Sequence, residues 1–157
     1  MLERAGRAQF AITLHDGERP SELQWYFREE STLPVAIQRW ELPPGGSEGM
    51  HAHPPGAEAL EEIYVLLDGA AVMTVDGERF DLGPGDAVIA RAGTRHDLVN
   101  PGPSSASVLV VWGQPGTAMD WTRFRTGRAS RDAAERGPDH RDARECGRPG
   151  HGAVEDR

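Results

Sequence analysis

Between residues 21 and 125, short strand-like segments recur, mostly every eight to twelve positions, with turn-forming residues among them. The interruptions are Pro43-Pro44-Gly45-Gly46, Asp68-Gly69, Asp76-Gly77, Gly83-Pro84-Gly85 and Pro101-Gly102-Pro103. They separate expected strands at Leu23–Arg28, Val35–Leu42, Ile63–Leu67, Ala70–Val75, Glu78–Leu82, Ala87–Ala90, Asp97–Val99 and Ser107–Trp112. Asp76-Gly77 lies between Ala71–Val75 and Glu78-Arg79-Phe80, and predicts a two-residue hairpin. Few segments repeat with helical period. Many short strands with Gly/Pro turns predict an all-β sandwich or barrel, and closure would remove the edges that such strands expose.

At 157 residues the chain has room for one domain. Residues 1–20 read as a polar arm with a possible edge strand near Phe10–Leu14. Residues 21–125 carry nearly all the large apolar side chains and are expected to form the barrel. Residues 126–157 contain no Leu, Ile, Phe, Trp or Tyr, and their seven arginines balance seven acids. Such a tail cannot bury enough apolar surface to offset its ordering entropy. Disorder is expected there, or at most a short helix around Ala129–Arg136. The formal charge of −8 therefore resides on residues 1–125. An acidic surface repels phosphate backbones, which argues against nucleic acid as a partner. Lysine is absent, and arginine supplies all 17 basic side chains. The sequence has no apolar run long enough for a membrane span and no leader-like start, so no membrane association is expected. Cys146 stands alone in the polar tail and reads as incidental. These features predict a cytoplasmic location.

Histidine placement carries the chemical signal. Of six histidines, His15 lies in the arm, and His140 and His151 lie in the tail. His51, His53 and His96 fall in the strand-rich region. Positions i and i+2 of an extended segment point to one face, so His51-Ala52-His53 can direct both imidazoles at one point. The acidic run Glu58-Ala59-Leu60-Glu61-Glu62 leads into the strand Ile63–Leu67 and offers a carboxylate ligand. His96 follows the turn Ala92-Gly93-Thr94-Arg95, at the start of another strand.

The segment from Gly45 to His53 resembles the first motif of the cupin superfamily: a glycine, five residues, then His-x-His. Glu62 and Gly69 have that motif's closing spacing of six residues. Residues Gly85 to Asn100 resemble the second motif, with Gly93, His96 and Asn100 in register and Arg91 where proline is expected. The resemblance covers roughly residues 33–113 and is similar to small single-domain bacterial cupins. It implies a double-stranded antiparallel β-barrel (a jelly roll) with one divalent transition metal (Fe, Mn, Ni or Zn) near its centre. The ligands carried over are His51, His53, Glu62 and His96. The His53-to-Glu62 gap is long, eight residues including Pro54-Pro55-Gly56, which leaves Glu61 and Glu58 as rivals. Glu62 keeps the motif spacing to Gly69, and strand alternation sends Glu61 to the other face. Arg91 falls in a turn, where it alters rigidity rather than metal binding. Asn100 reads as a turn former.

Three imidazoles and a carboxylate form a borderline donor set that leaves about two positions of an octahedral ion open. Alternation places Tyr64 and Leu66 beside Glu62, and Tyr64 is the candidate catalytic group, able to exchange a proton near the metal. In Gln38-Arg39-Trp40 only one parity can face inward, and an inward Arg39 would point to an anionic substrate. The resemblance implies a metal-dependent enzyme acting on a small molecule: a dioxygenase, isomerase, lyase or cyclase-like protein, with oxidoreductase chemistry slightly ahead. The alternative is a non-catalytic small-molecule-binding or sensor module; a third reading uses the metal only for stability. Strands apolar on both faces, together with Trp25, Phe27, Trp40, Trp112 and Trp121, predict a homodimer that covers the surplus surface.

Overall fold

The computed structural model describes residues 1–116 and 119–136. Among the described residues nine antiparallel strands form two sheets. They are β1 (Gln9–Ile12), β2 (Ser21–Trp25), β3 (Ala36–Leu42), β4 (Glu61–Asp68), β5 (Ala71–Val75), β6 (Glu78–Leu82), β7 (Ala87–Ala90), β8 (His96–Val99) and β9 (Ala106–Gly113). The larger sheet has the order β1-β2-β3-β9-β4-β7, and the smaller has the order β6-β5-β8. The two facing sheets form the all-β jelly roll expected from the sequence.

Period-two alternation sorts the side chains. Along β3, Ala36, Gln38, Trp40 and Leu42 are buried, while Ile37, Arg39 and Glu41 are half-buried on the outer face. Along β4, Glu62, Tyr64 and Leu66 face inward. Leu98 of β8, Met73 of β5, and Val108 and Val110 of β9 complete the core between the sheets. The β5–β6 hairpin closes through Asp76 at φ 47° and Gly77 at φ 86°. Positive φ at both central residues is the twist that a two-residue hairpin requires.

The arm at residues 1–20 is part of the sheet, because β1 pairs with β2 in the register Phe10↔Leu23 and Ile12↔Ser21. Residues Met1–Gly116 form one compact unit, which therefore includes that arm. The described residues from Met119 onward group separately. There, Asp120 caps a 3-10 turn at Trp121–Arg123 by accepting from the Thr122 amide at 3.1 Å, and α1 follows over Arg125–Arg136. This helix starts four residues earlier than the expected Ala129. The capped turn supplies its first backbone acceptor, with Arg128 N bonded to the Phe124 carbonyl at 3.1 Å. Arg128 also donates to the Thr122 carbonyl at 2.8 Å, and Arg131 faces Glu135 one turn on. The expected disorder of the rest of the tail, with His140, Cys146 and His151, lies outside the described residues. Among the described residues no helix is long and apolar enough to cross a membrane.

Candidate metal centre

Four of the expected site residues meet in one place. The donor atoms of His51, His53, Glu62 and His96 all lie within 4.8 Å of one another. Glu62 comes from the inward face of β4, and His96 opens β8. His51 and His53 stand on an irregular extended segment rather than a named strand. That segment runs antiparallel to β8: the His51 amide donates to the His96 carbonyl at 3.0 Å and the His96 amide returns the bond at 2.9 Å. The Gly93 amide donates to the His53 carbonyl at 2.7 Å. Glu61 turns to the other face of β4, and Glu58 is exposed in the loop, so neither joins the group.

Hydrogen bonding decides which imidazole nitrogens are free. His51 Nδ1 lies 2.8 Å from the Gly49 carbonyl, and His96 Nδ1 lies 3.2 Å from the Thr94 carbonyl. A carbonyl accepts only, so each Nδ1 carries the proton and each neutral ring presents Nε2 as a lone pair. The Nε2 atoms surround Glu62 Oε2, which lies 2.8 Å from His96 Nε2, 3.2 Å from His53 Nε2 and 3.9 Å from His51 Nε2; a ring protonated there donates to the carboxylate, and a neutral one offers its lone pair to a cation. The Nε2 atoms of His51 and His53 are buried without a hydrogen-bond partner. A buried polar atom left unpaired costs about 1–3 kcal/mol. Acceptors that converge with too few donors are satisfied by a cation, and this donor set suits a divalent transition metal.

The carboxylate is electrostatically prepared. Burial alone raises the Glu62 pKa, but the imidazoles of His51, His96 and His53 more than offset this and hold it far below the usual range. Burial pushes the His53 pKa down. For His51 burial also acts downward, and its contacts to Glu62 and the Gly49 carbonyl reverse the outcome.

Tyr64 is fully buried, as strand parity requires, and its hydroxyl lies behind the metal group. The oxygen sits 3.0 Å from Glu62 Oε2 and 3.0 and 3.1 Å from the oxygens of Glu48. One hydroxyl proton cannot serve two carboxylates. Burial, reinforced by the charge of Glu62, pushes the pKa of Glu48 well up, which favours its protonated form. The Tyr64 hydroxyl bridges the two carboxyl groups. Burial and the two carboxylates raise the Tyr64 pKa well above that of a free phenol.

Two site residues were not anticipated from the sequence. Glu48 sits inside the first motif but outside its ligand pattern, and nothing local marks it as buried. His15 was set aside with the arm, yet its ring stacks on His51 at 3.5 Å between centroids and 16° between planes. Its donor groups with those of Glu48 and His51. Burial, followed by the charges of His51 and His53, lowers its pKa. A backbone crossing delivers it. A Cβ on Gly17 would lie 2.2 Å from the Ser47 carbonyl oxygen, and one on Gly49 would lie 2.5 Å from the Gly17 amide nitrogen. Only two glycines let these segments pass so closely, and reciprocal bonds of 2.8 Å between Glu18 and Ser47 pin them.

Two other expectations resolve. Gln38 and Trp40 face inward; Arg39 faces outward, bonded through Nε to Glu41 at 2.7 Å. Asn100 is a turn former: its amide donates to the carbonyls of Leu42, Pro43 and Ser104, and its side-chain oxygen accepts from the Gly102 amide.

Comparison with known proteins points the same way. A family model described as "Cupin domain" matches residues 38–112. An oxalate-binding protein of Thermotoga maritima is 34% identical over 73 residues, which are 46% of this chain and 57% of that protein. A germin-like protein 3-7 of Oryza sativa subsp. japonica is 34% identical over 84 residues, 52% of this chain and 36% of that protein. The chain thus spans less than two-thirds of the length of these curated relatives. The crystal structure of a predicted oxalate decarboxylase from Thermotoga maritima superposes with a TM-score of 0.62 at 25% identity, covering 68% of this chain and 92% of that one.

Proposed function

As the chain belongs to the cupin superfamily, we propose that it is a metal-dependent enzyme acting on a small molecule, with His51, His53, Glu62 and His96 as the metal ligands. The observation that carries this reading is the convergence of imidazole nitrogens on Glu62, with the Nε2 atoms of His51 and His53 buried and unpartnered. The metal supplies Lewis acidity, or a redox centre if it is iron. The chain's own groups do the rest. The carbonyls of Gly49 and Thr94 fix the tautomers of His51 and His96. Tyr64 holds Glu62 Oε2 and links it to Glu48. Tyr64 is absent from the walls of the cavity at the site, so it acts as a positioning residue and reaches the reaction through Glu62.

Four protein ligands leave positions for a chelating molecule with two oxygens. The oxalate-related names of the relatives support a chelating substrate class. Dioxygenase, isomerase, lyase and cyclase-like reactions all fit this arrangement, with oxygenase chemistry slightly favoured. A non-catalytic binding module is the second reading, favoured by the relative described as an oxalate-binding protein.

The reading extends to a homodimer. Ile37, Val111, Ile63 and Ile89 stand side by side across four neighbouring strands of the outer sheet face, and Ile63 and Ile89 are each 39% exposed. A second copy laid on this row would remove it from water, and light scattering that gives a monomer mass at micromolar concentration would overturn this part.

Metal content tests the central claim. Protein purified without chelator or tag metal is expected to hold near one equivalent, and His53→Ala to lose it. One equivalent of iron directs screening to oxygen uptake; zinc, nickel or manganese directs it to lyase, isomerase or cyclase reactions. Absence of metal from both proteins would sink the metalloenzyme reading in favour of the binding module.

A further inference from the structure

A cavity of about 260 Å³ opens onto the metal group, and its walls combine polar and apolar side chains. His15, Gln38, Glu48, His53 and Glu62 supply the polar part. Phe10, Ile12, Leu14, Leu23, Leu60 and Trp112 supply apolar surface. The even positions of the N-terminal strand line it because β1 alternates, with Phe10 opposite Leu23 and Ile12 opposite Ser21.

From this wall we infer the substrate class: a molecule with a chelating two-oxygen head, at most one negative charge, and an apolar body about the size of one aromatic ring. Phe10, Ile12 and Leu14 select the body. The inference rests on the proposed metal site, since the head needs a metal to chelate.

Charge and size support it independently. Among the described residues no arginine lines the cavity: the chain has no lysine, and Arg39, on the outer face of β3, is engaged by Glu41. Two carboxyl groups line it instead, so among the described residues a dianion would enter against Glu62 with no guanidinium to share its charge. Gln38 adds a neutral contact to the walls. Gln38 Oε1 accepts from Trp40 Nε1 at 2.7 Å, which leaves the Gln38 amide hydrogens for a ligand. A dry cavity of about 150 Å³ holds one benzene molecule. The volume here leaves room for a ring and a small head, whereas oxalate would leave the apolar surface uncovered.

Two hydroxamates that share one head and differ only in body make the test. The full-length protein is loaded with nickel, and its nickel content is measured. Acetohydroxamate, benzohydroxamate and oxalate are then titrated by calorimetry. Benzohydroxamate is expected to bind at least about tenfold more tightly than acetohydroxamate, since it buries a ring where the other buries a methyl group, and more tightly than oxalate. Phe10→Ala combined with Ile12→Ala should shrink the gap between the hydroxamates and leave acetohydroxamate affinity unchanged. Leu14→Arg, which adds the missing cation, should shift preference toward oxalate. Circular dichroism confirms that each variant is folded. Equal affinity for the two hydroxamates, or oxalate as the tightest ligand of the wild type, overturns the inference and leaves the metal site standing. Failure to take up nickel, and likewise iron, manganese and zinc, overturns the metal reading and this inference with it.

Discussion

Glu48 and Glu62 are the same side chain, both buried, and both within hydrogen-bond reach of one tyrosine oxygen. Their acidities move in opposite directions. Glu62 faces three imidazoles, which favour its ionised form; Glu48 is fully buried with Tyr64 as its hydrogen-bond partner and the charge of Glu62 nearby, which favours its neutral form. Burial acts upward on both, so their partners decide the difference. The contrast gives the two carboxyls different work: Glu62 is built to bind a cation, and Glu48 to keep a proton.

The largest break in this comparison should come from the imidazole side. His96→Ala removes a donor 2.8 Å from Glu62, and is expected to abolish stoichiometric metal while leaving a folded barrel, checked by elemental analysis and circular dichroism. Retention of a full equivalent would remove His96 from the ligand set. Tyr64→Phe should act next. It leaves all four ligands in place and removes the bond that orients Glu62, so metal affinity should fall about 10- to 100-fold by competition with a chelator. An unchanged affinity would reduce Tyr64 to packing.

The smallest effect concerns Glu48 and is read in the metal-free protein. Its folded pKa is raised, so the unfolded chain releases this proton near the ordinary value of about 4.3, while the folded protein retains it. Glu48 therefore makes stability fall as pH rises from about 4.3 toward its folded pKa, by at most about 1.4 kcal/mol per pH unit. Glu62 has the opposite sign: its depressed pKa contributes stability that is full above about 4.3 and lost as pH falls below it. Glu48→Gln should flatten the slope above pH 4.3, measured by urea unfolding at several pH values, and leave metal stoichiometry intact. An unchanged slope would mean that Glu48 is ionised in the folded protein.

Much of the fold was legible because strands obey a local period. The turns at Asp68-Gly69, Asp76-Gly77 and Gly83-Pro84-Gly85 bound β4 to β7 as expected, and Glu78–Leu82 and Ala87–Ala90 match β6 and β7 end to end. Alternation along β4 alone placed Glu62, Tyr64 and Leu66 together and sent Glu61 away. His51 and His53 were legible by their i, i+2 spacing, although the segment that carries them is a bridge to β8 rather than a regular strand. The start of α1 was not legible, because a capped turn rather than apolar periodicity begins it.

The sequence by itself determined the donor types, their same-face relationships and the strand-turn rhythm, since each depends on residues close together in the chain. Only the tertiary structure decided which parity of β3 faces inward, turning Arg39 to the outer face. It alone brought His15 onto His51 across the Gly17–Gly49 crossing, and closed Glu48 against Tyr64. Local period cannot specify these contacts, because they depend on which segments pack against one another, and that is settled by burial and hydrogen bonding summed over the whole barrel.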